Sequence, residues 1–184
     1  TQFIAMGADM VSFSGGKGVL GPQSTGILAG RADLIEAAYA NGAPNSDSIG
    51  RAAKVCKEEI AGLVTALEIF VDTDFEAVMS GWRDQCAHVV ESLGDIPGLR
   101  LALSEARPEM LESMSNAPRA LIYFEHDWKG PSRDQVLQML EDGDPGVRVN
   151  ASGFEGEIAI IPVNLRRGEE IELARRLREV LTGG

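Results

Sequence analysis

From Met10 to Ser14 apolar and polar side chains alternate, the period of a strand, and the alternation breaks at Gly15-Gly16-Lys17-Gly18. A second strand is expected at about Thr25 to Ala29, after Gly21-Pro22-Gln23, and a helix over Arg31 to Tyr39, closed by Asn41-Gly42. The stretch up to Gly50 reads as loop. From Arg51 to Val71 the residues Ile60, Leu63, Val64, Leu67 and Phe70 recur at three and four, which predicts one long amphipathic helix. Asp72-Thr73-Asp74 supplies an N-cap, and Phe75, Val78, Met79, Trp82, Cys86, Val89, Val90 and Leu93 form the stripe of the next helix.

Beyond that break, Leu99 to Leu103 and Arg119 to Phe124 read as strands, and Ser132 with Gln135 makes a capping box for a helix running through Leu140. Strands are expected near Val147 to Asn150 and Glu157 to Pro162. A closing helix follows, with Glu169 and Glu170 at its start and Arg175, Arg176 and Arg178 nearer its end, an order that suits the helix dipole. The pattern predicts an α/β chain in three parts: residues 1–50, a linking helix over 51–71, and a small α+β domain with a mainly antiparallel sheet over 72–184.

The 184 residues are 44% hydrophobic and 24% charged, enough to bury a core without disulfides. No run approaches the ~20 apolar residues of a membrane span and the start lacks signal-peptide character, so the cytoplasm is the expected compartment. Cys56 and Cys86 lie on helical stripes, not in a Cys-x-x-Cys spacing, and read as buried free thiols. With His88 and His126 far apart, no metal site is expected. A formal charge of -11 opposes nucleic-acid binding, which draws on clustered Lys and Arg.

Gly15-Gly16-Lys17-Gly18 invites comparison with a phosphate loop, and the comparison fails. A Walker A motif needs glycine where Val11 stands and Ser or Thr where Gly18 stands, and a helix should follow Lys17. A lysine in a glycine turn at a strand end also suits a Schiff-base lysine, which needs open backbone beside a bulky cofactor. On the local pattern alone, an ordinary surface lysine in a turn is the competing reading.

Ser12-Phe-Ser-Gly-Gly-Lys17-Gly-Val-Leu-Gly-Pro-Gln23 resembles the cofactor-lysine segment of selenocysteine synthase (L-seryl-tRNA selenium transferase) and the related D-glucosaminate-6-phosphate ammonia-lyases. The resemblance continues through Ile27 to Ile35 and Arg51-Ala-Ala-Lys54, to about Phe70. It implies the C-terminal half of a fold type I pyridoxal-phosphate (PLP) enzyme, with the end of the large domain before the linking helix and the small domain after it. Lys17 would carry PLP and shuttle the Cα proton. Most contacts to the ring and phosphate would lie upstream of Thr1, so the chain reads as a fragment, inactive by itself.

The same resemblance places Ser14, Gly21, Pro22 and Gln23 beside the cofactor, in a homodimer or higher homo-oligomer that shares its active sites. A tight Gly-Pro turn is the alternative for residues 21–23. Arg51 matches a substrate-facing arginine, with an exposed helix-start arginine as the other reading. Arg148, on a predicted strand, stands where such enzymes hold a carboxylate, although an outward strand arginine is the commoner case. Three residues ahead of Arg51, where the selenium transferases carry a second arginine, this chain has Ser48. The expected activity is therefore a lyase on a small anionic hydroxylated amino acid or aminosugar acid. A selenium transferase on seryl-tRNA and a non-catalytic dimerisation module are the alternatives.

Overall fold

The computed structural model describes residues 2–105, 117–150 and 156–183. The chain divides into two compact units, residues 1–73 and 74–184.

In the first unit a short helix α1 (Gln2–Ala5) leads into β1 (Met10–Ser14), which pairs antiparallel with β2 (Gly26–Gly30) so that Ser14 faces Gly26 and Met10 faces Gly30. Helix α2 (Ala32–Ala40) follows, ended by Asn41, whose side-chain amide donates to the Ala37 carbonyl at 2.9 Å. Helix α3 (Lys57–Asp72) completes the unit. The helix expected from Arg51 does not form as one piece. Arg51–Ala53 form a separate 3-10 turn, and Lys54 and Cys56 are extended, with ψ of 123° and 150°. The physical reason is a cap: the Glu59 carboxylate accepts the Cys56 N–H at 3.2 Å, which starts α3 at Lys57. Cys56 is accordingly exposed at a helix start, not buried on a stripe.

The second unit opens with α4 (Phe75–Leu93), capped by Asp74, whose Oδ1 accepts the Ala77 N–H at 3.1 Å. Strands β3 (Leu99–Ser104), β4 (Arg119–Phe124) and β5 (Ile158–Ile160) form one antiparallel sheet in that order. Helix α5 (Arg133–Glu141) begins at Ser132, and its capping box is made: Gln135 Oε1 accepts the Ser132 N–H at 2.8 Å. Helix α6 (Glu169–Thr182) closes the unit. Its Glu169 and Glu170 carboxylates accept the N–H groups of Arg166 and Gly168, both at 2.8 Å, satisfying donors at the helix start.

Val89 and Leu93 of α4, Ile122 of β4, Leu140 of α5, Ile158 of β5 and Leu177 of α6 meet in one core. Along β4 the fully buried residues are Ala120 and Ile122, the period of two that a half-buried strand requires. The expected strand at Val147 to Asn150 is absent. Asn150 makes an isolated bridge to Ala159, and the Val147 N–H turns back to the Leu140 carbonyl at 2.8 Å. Among the described residues, no helix is long and apolar enough to cross a membrane.

Candidate functional site

Lys17 sits at the tip of the excursion between β1 and β2. Backbone bonds fold that loop on itself: Gly15 donates to the Thr25 carbonyl at 2.9 Å, Leu20 to Lys17 at 2.8 Å and Gly21 to Gly15 at 2.8 Å. Leu20 adopts a left-handed φ of 59° to close the turn. The Gln23 amide donates to the Gly16 carbonyl at 3.0 Å, and the Thr25 hydroxyl to the Pro22 carbonyl at 2.6 Å.

Glycine is required where the strands of this loop touch. A Cβ on Gly15 would lie 2.0 Å from Thr25 Oγ1 and 2.9 Å from Leu63 Cδ1, and one on Gly16 would lie 2.6 Å from the Gln23 Cα. A Cβ on Gly18, beside the lysine, would meet nothing within 4 Å beyond its chain neighbours. The loop is therefore packed at its base and open at its tip. Lys17 is exposed there, and among the described residues its amine has no hydrogen bond or ion pair. A covalently held aldehyde cofactor fits such a lysine: the amine is unengaged and the backbone next to it presents no side chain.

Ser14 ends β1, exposed, and Gly21 and Pro22 form the base of the loop. Gln23 already uses its amide within the loop, holding the turn that bears Lys17. Arg51 is half-buried in its 3-10 turn and, among the described residues, its guanidinium has no partner, which leaves its fork available to an anion. Ser48 points inward, donating to the carbonyls of Gly42 at 2.9 Å and Asn45 at 2.7 Å, so this position offers the loop a staple and no cation.

Arg148 lies in the second unit on irregular backbone. It is 82% exposed and pairs with Glu141, whose carboxylate holds the guanidinium pKa above its ordinary value. A cavity of about 760 Å³ in the first unit, lined by Thr25, Pro44, Cys56, Ile60 and Leu63 among others, includes neither Lys17 nor Arg51 in its walls.

Three residues of this site were not singled out from sequence. Thr25 is the buried polar residue of the unit, 7% exposed. Glu59 accepts a hydrogen bond from the Ser24 hydroxyl as well as from the Cys56 N–H, and these two contacts hold its carboxyl below the usual range. Gly62 brings α3 against Pro22, where a Cβ would lie 3.0 Å from the proline Cγ. The spacing Cys56-x-x-Glu59 is the available signal, but cysteine replaces the usual Ser or Thr of a capping box.

The family model described as SelA, L-seryl-tRNA selenium transferase, matches residues 1–80, the stretch that holds the Lys17 loop, Arg51 and α3. Over those residues the chain is similar to the SelA family. A D-glucosaminate-6-phosphate ammonia lyase from Salmonella typhimurium (strain 14028s / SGSC 2262) is 28% identical over 97% of this chain and 45% of its own length. A 5'-C-glycyluridine monooxygenase-decarboxylase from Streptomyces sp is 28% identical over 98% of this chain and 43% of its own. An L-seryl-tRNA(Sec) selenium transferase from Aquifex aeolicus (strain VF5) is 30% identical over 57% of this chain and 24% of its own.

Among solved structures, a D-glucosaminate-6-phosphate ammonia-lyase superposes with a TM-score of 0.70 at 26% identity, covering 98% of this chain and 46% of that one. A SepCysS-SepCysE N-terminal domain complex matches at 15% identity with a TM-score of 0.55, covering 96% of this chain and 46% of that one, a likeness of fold alone. The chain thus spans less than half the length of the curated relatives it matches, all of them enzymes by name.

Proposed function

We propose that this chain is the C-terminal part of a fold type I PLP-dependent lyase, and that Lys17 is the residue that holds the cofactor. The observation that supports this reading above all is Lys17 itself: an unengaged amine at the open tip of a loop whose base is locked by Gly15, Gly16 and Gln23. PLP, when bound, withdraws electrons from a bond at the substrate Cα. With the cofactor in place, Lys17 Nζ would hold it and would take up the substrate's Cα proton. Arg51 binds the substrate's carboxylate or phosphate through its bidentate fork and so orients the reacting bond. Ser14, exposed at the end of β1, would stand on the cofactor side of the loop, while Gly21 and Pro22 pack its base against α3. Arg148 is left out of this anchor because Glu141 engages it.

The substrate class is a small anionic hydroxylated amino acid or aminosugar acid such as D-glucosaminate 6-phosphate. Its Cα proton and β-hydroxyl leave as water, and water returning on hydrolysis gives a 2-keto acid and ammonia. Similarity to the ammonia lyase along nearly the whole chain supports it, as does the inward-turned Ser48. The family match over residues 1–80 favours a second reading, selenium transfer on seryl-tRNA. The -11 charge, and a serine instead of a cation at position 48, weigh against a polyanionic partner. The assembly we propose is a cytoplasmic homodimer or higher homo-oligomer.

Borohydride reduction of the PLP-loaded full-length protein, followed by peptide mapping, is expected to place the pyridoxyl label on Lys17. Parallel incubations with D-glucosaminate 6-phosphate, serine and seryl-tRNA should release ammonia and keto acid from a small substrate. Arg51→Ala should lower kcat/KM by about 1.5 to 3 kcal/mol, the range of a charge-assisted contact. A label on another lysine overturns the assignment, and a selenocysteinyl product from seryl-tRNA with no ammonia from the small substrates establishes the second reading.

A further inference from the structure

Helix α3 meets the Lys17 loop along one stripe. Glu59, Gly62, Leu63 and Ala66 follow the spacing of a single helical face, and each contacts the loop or stands where a loop side chain would. Leu63 Cδ1 lies against Gly15 and Gly21, Gly62 against Pro22, and Ala66 Cβ would sit 3.4 Å from a Cβ on Gly21. Those contacts are apolar and non-directional. At the end of the stripe the contact changes character: the Ser24 hydroxyl donates to one oxygen of the Glu59 carboxylate, while the other accepts the Cys56 N–H at 3.2 Å.

One carboxylate therefore joins three segments: the loop bearing Lys17, the start of α3, and the chain descending from Arg51. Glu59 is only half-buried and could have faced water, and instead both of its oxygens are used. Packing by Leu63 and Gly62 limits how near the loop can come to the helix. A directional bond to Ser24, the residue after Gln23, sets where the loop lies along the helix, and Gln23 passes that placement to Gly16 through its amide.

We propose that Glu59 is a positioning residue for Lys17, acting through Ser24 and Gln23 on the turn that presents the lysine amine. This rests on the functional reading of Lys17 given above.

The test uses Ser24→Ala, Glu59→Ala and the double variant of the full-length protein. Without cofactor, amide hydrogen exchange at Gly21 and Thr25 should speed up about fivefold in each single variant, with no further change in the double, as expected for one shared contact. With PLP bound, the pH midpoint of its visible absorbance should move in both variants and in the same direction, which a loss of global stability alone would not produce. Should Glu59→Ala fail to fold, Ser24→Ala reads the same contact from its other side. Unchanged exchange, or effects of the two substitutions that simply add, overturn the proposal. If Lys17 takes no pyridoxyl label, the functional reading fails and the exchange measurement still decides the clasp. If Lys17 is labelled and the variants behave as wild type, the clasp fails and the functional reading stands.

Discussion

The two units of this chain use the same kinds of residue to opposite ends. Residues 74–184 bury Val89, Leu93, Ile122, Leu140, Ile158 and Leu177 to 1% exposure or less. In residues 2–73 the one buried large apolar side chain is Leu63, while Phe13, Leu28, Ile60 and Val64 are each more than 40% exposed. The C-terminal part of the α4 stripe, Cys86, Val89 and Leu93, is consumed by the core of its own unit; of the α3 stripe only Leu63 is buried. The unit bearing the candidate chemistry is therefore the one that does not close a core from its own residues. Exposed apolar faces of that kind suit contact with another surface.

The two units should differ most in stability. Leu177→Ala should cost about 3 to 5 kcal/mol and Leu63→Ala only about 1 to 2, because a cavity in a closed core relaxes less than one beside solvent. Trp82 and Trp128 both lie in the second unit, so urea unfolding followed by tryptophan fluorescence reports that unit, and circular dichroism adds the first. Equal losses at the two leucines would mean that the first unit has a core of its own.

Each unit also carries one cysteine, and the contrast sharpens there. Cys56 is exposed, whereas burial pushes the Cys86 thiol up to about 11. At neutral pH a thiol reagent should modify Cys56 within minutes and Cys86 only as fast as the second unit opens. Rapid modification of both in the native protein would contradict the closed core.

The smallest effect is electrostatic. The Arg178 guanidinium pairs with Asp95 at 2.6 and 2.7 Å and holds its carboxyl below the usual value. A lowered folded pKa means that the pair's contribution is present above the unfolded value, ~3.9, and is lost as pH falls through the folded one. Asp95→Asn should therefore lower stability slightly at neutral pH, by an amount that shrinks as pH falls below ~3.9, checked by urea melts across that range. Both side chains are well exposed, which keeps the effect small.

Much of the second unit was legible because its signals are local. The Ser132–Gln135 capping box, the Asp74 cap, the stripe of α4 and the acidic start of α6 each lie within a few residues of sequence, and each forms as read. The strand at Val147 to Asn150 was misread because alternation shows only that a segment could pair. Beside a three-residue β5 it finds a single bridge.

At the candidate site, sequence by itself determined the type of the loop: glycines where backbone must approach backbone, a lysine among them, and Gly-Pro-Gln at a fixed distance after it. Only the tertiary structure decided what holds the loop in place. Glu59 meets Ser24 across 35 positions, Leu63 fills the space beside Gly15, and a cap at Cys56 divides the expected long helix in two. Contacts between segments far apart in sequence leave no period and no spacing to read, because they depend on the close packing that brings two surfaces together and not on the local preferences of either.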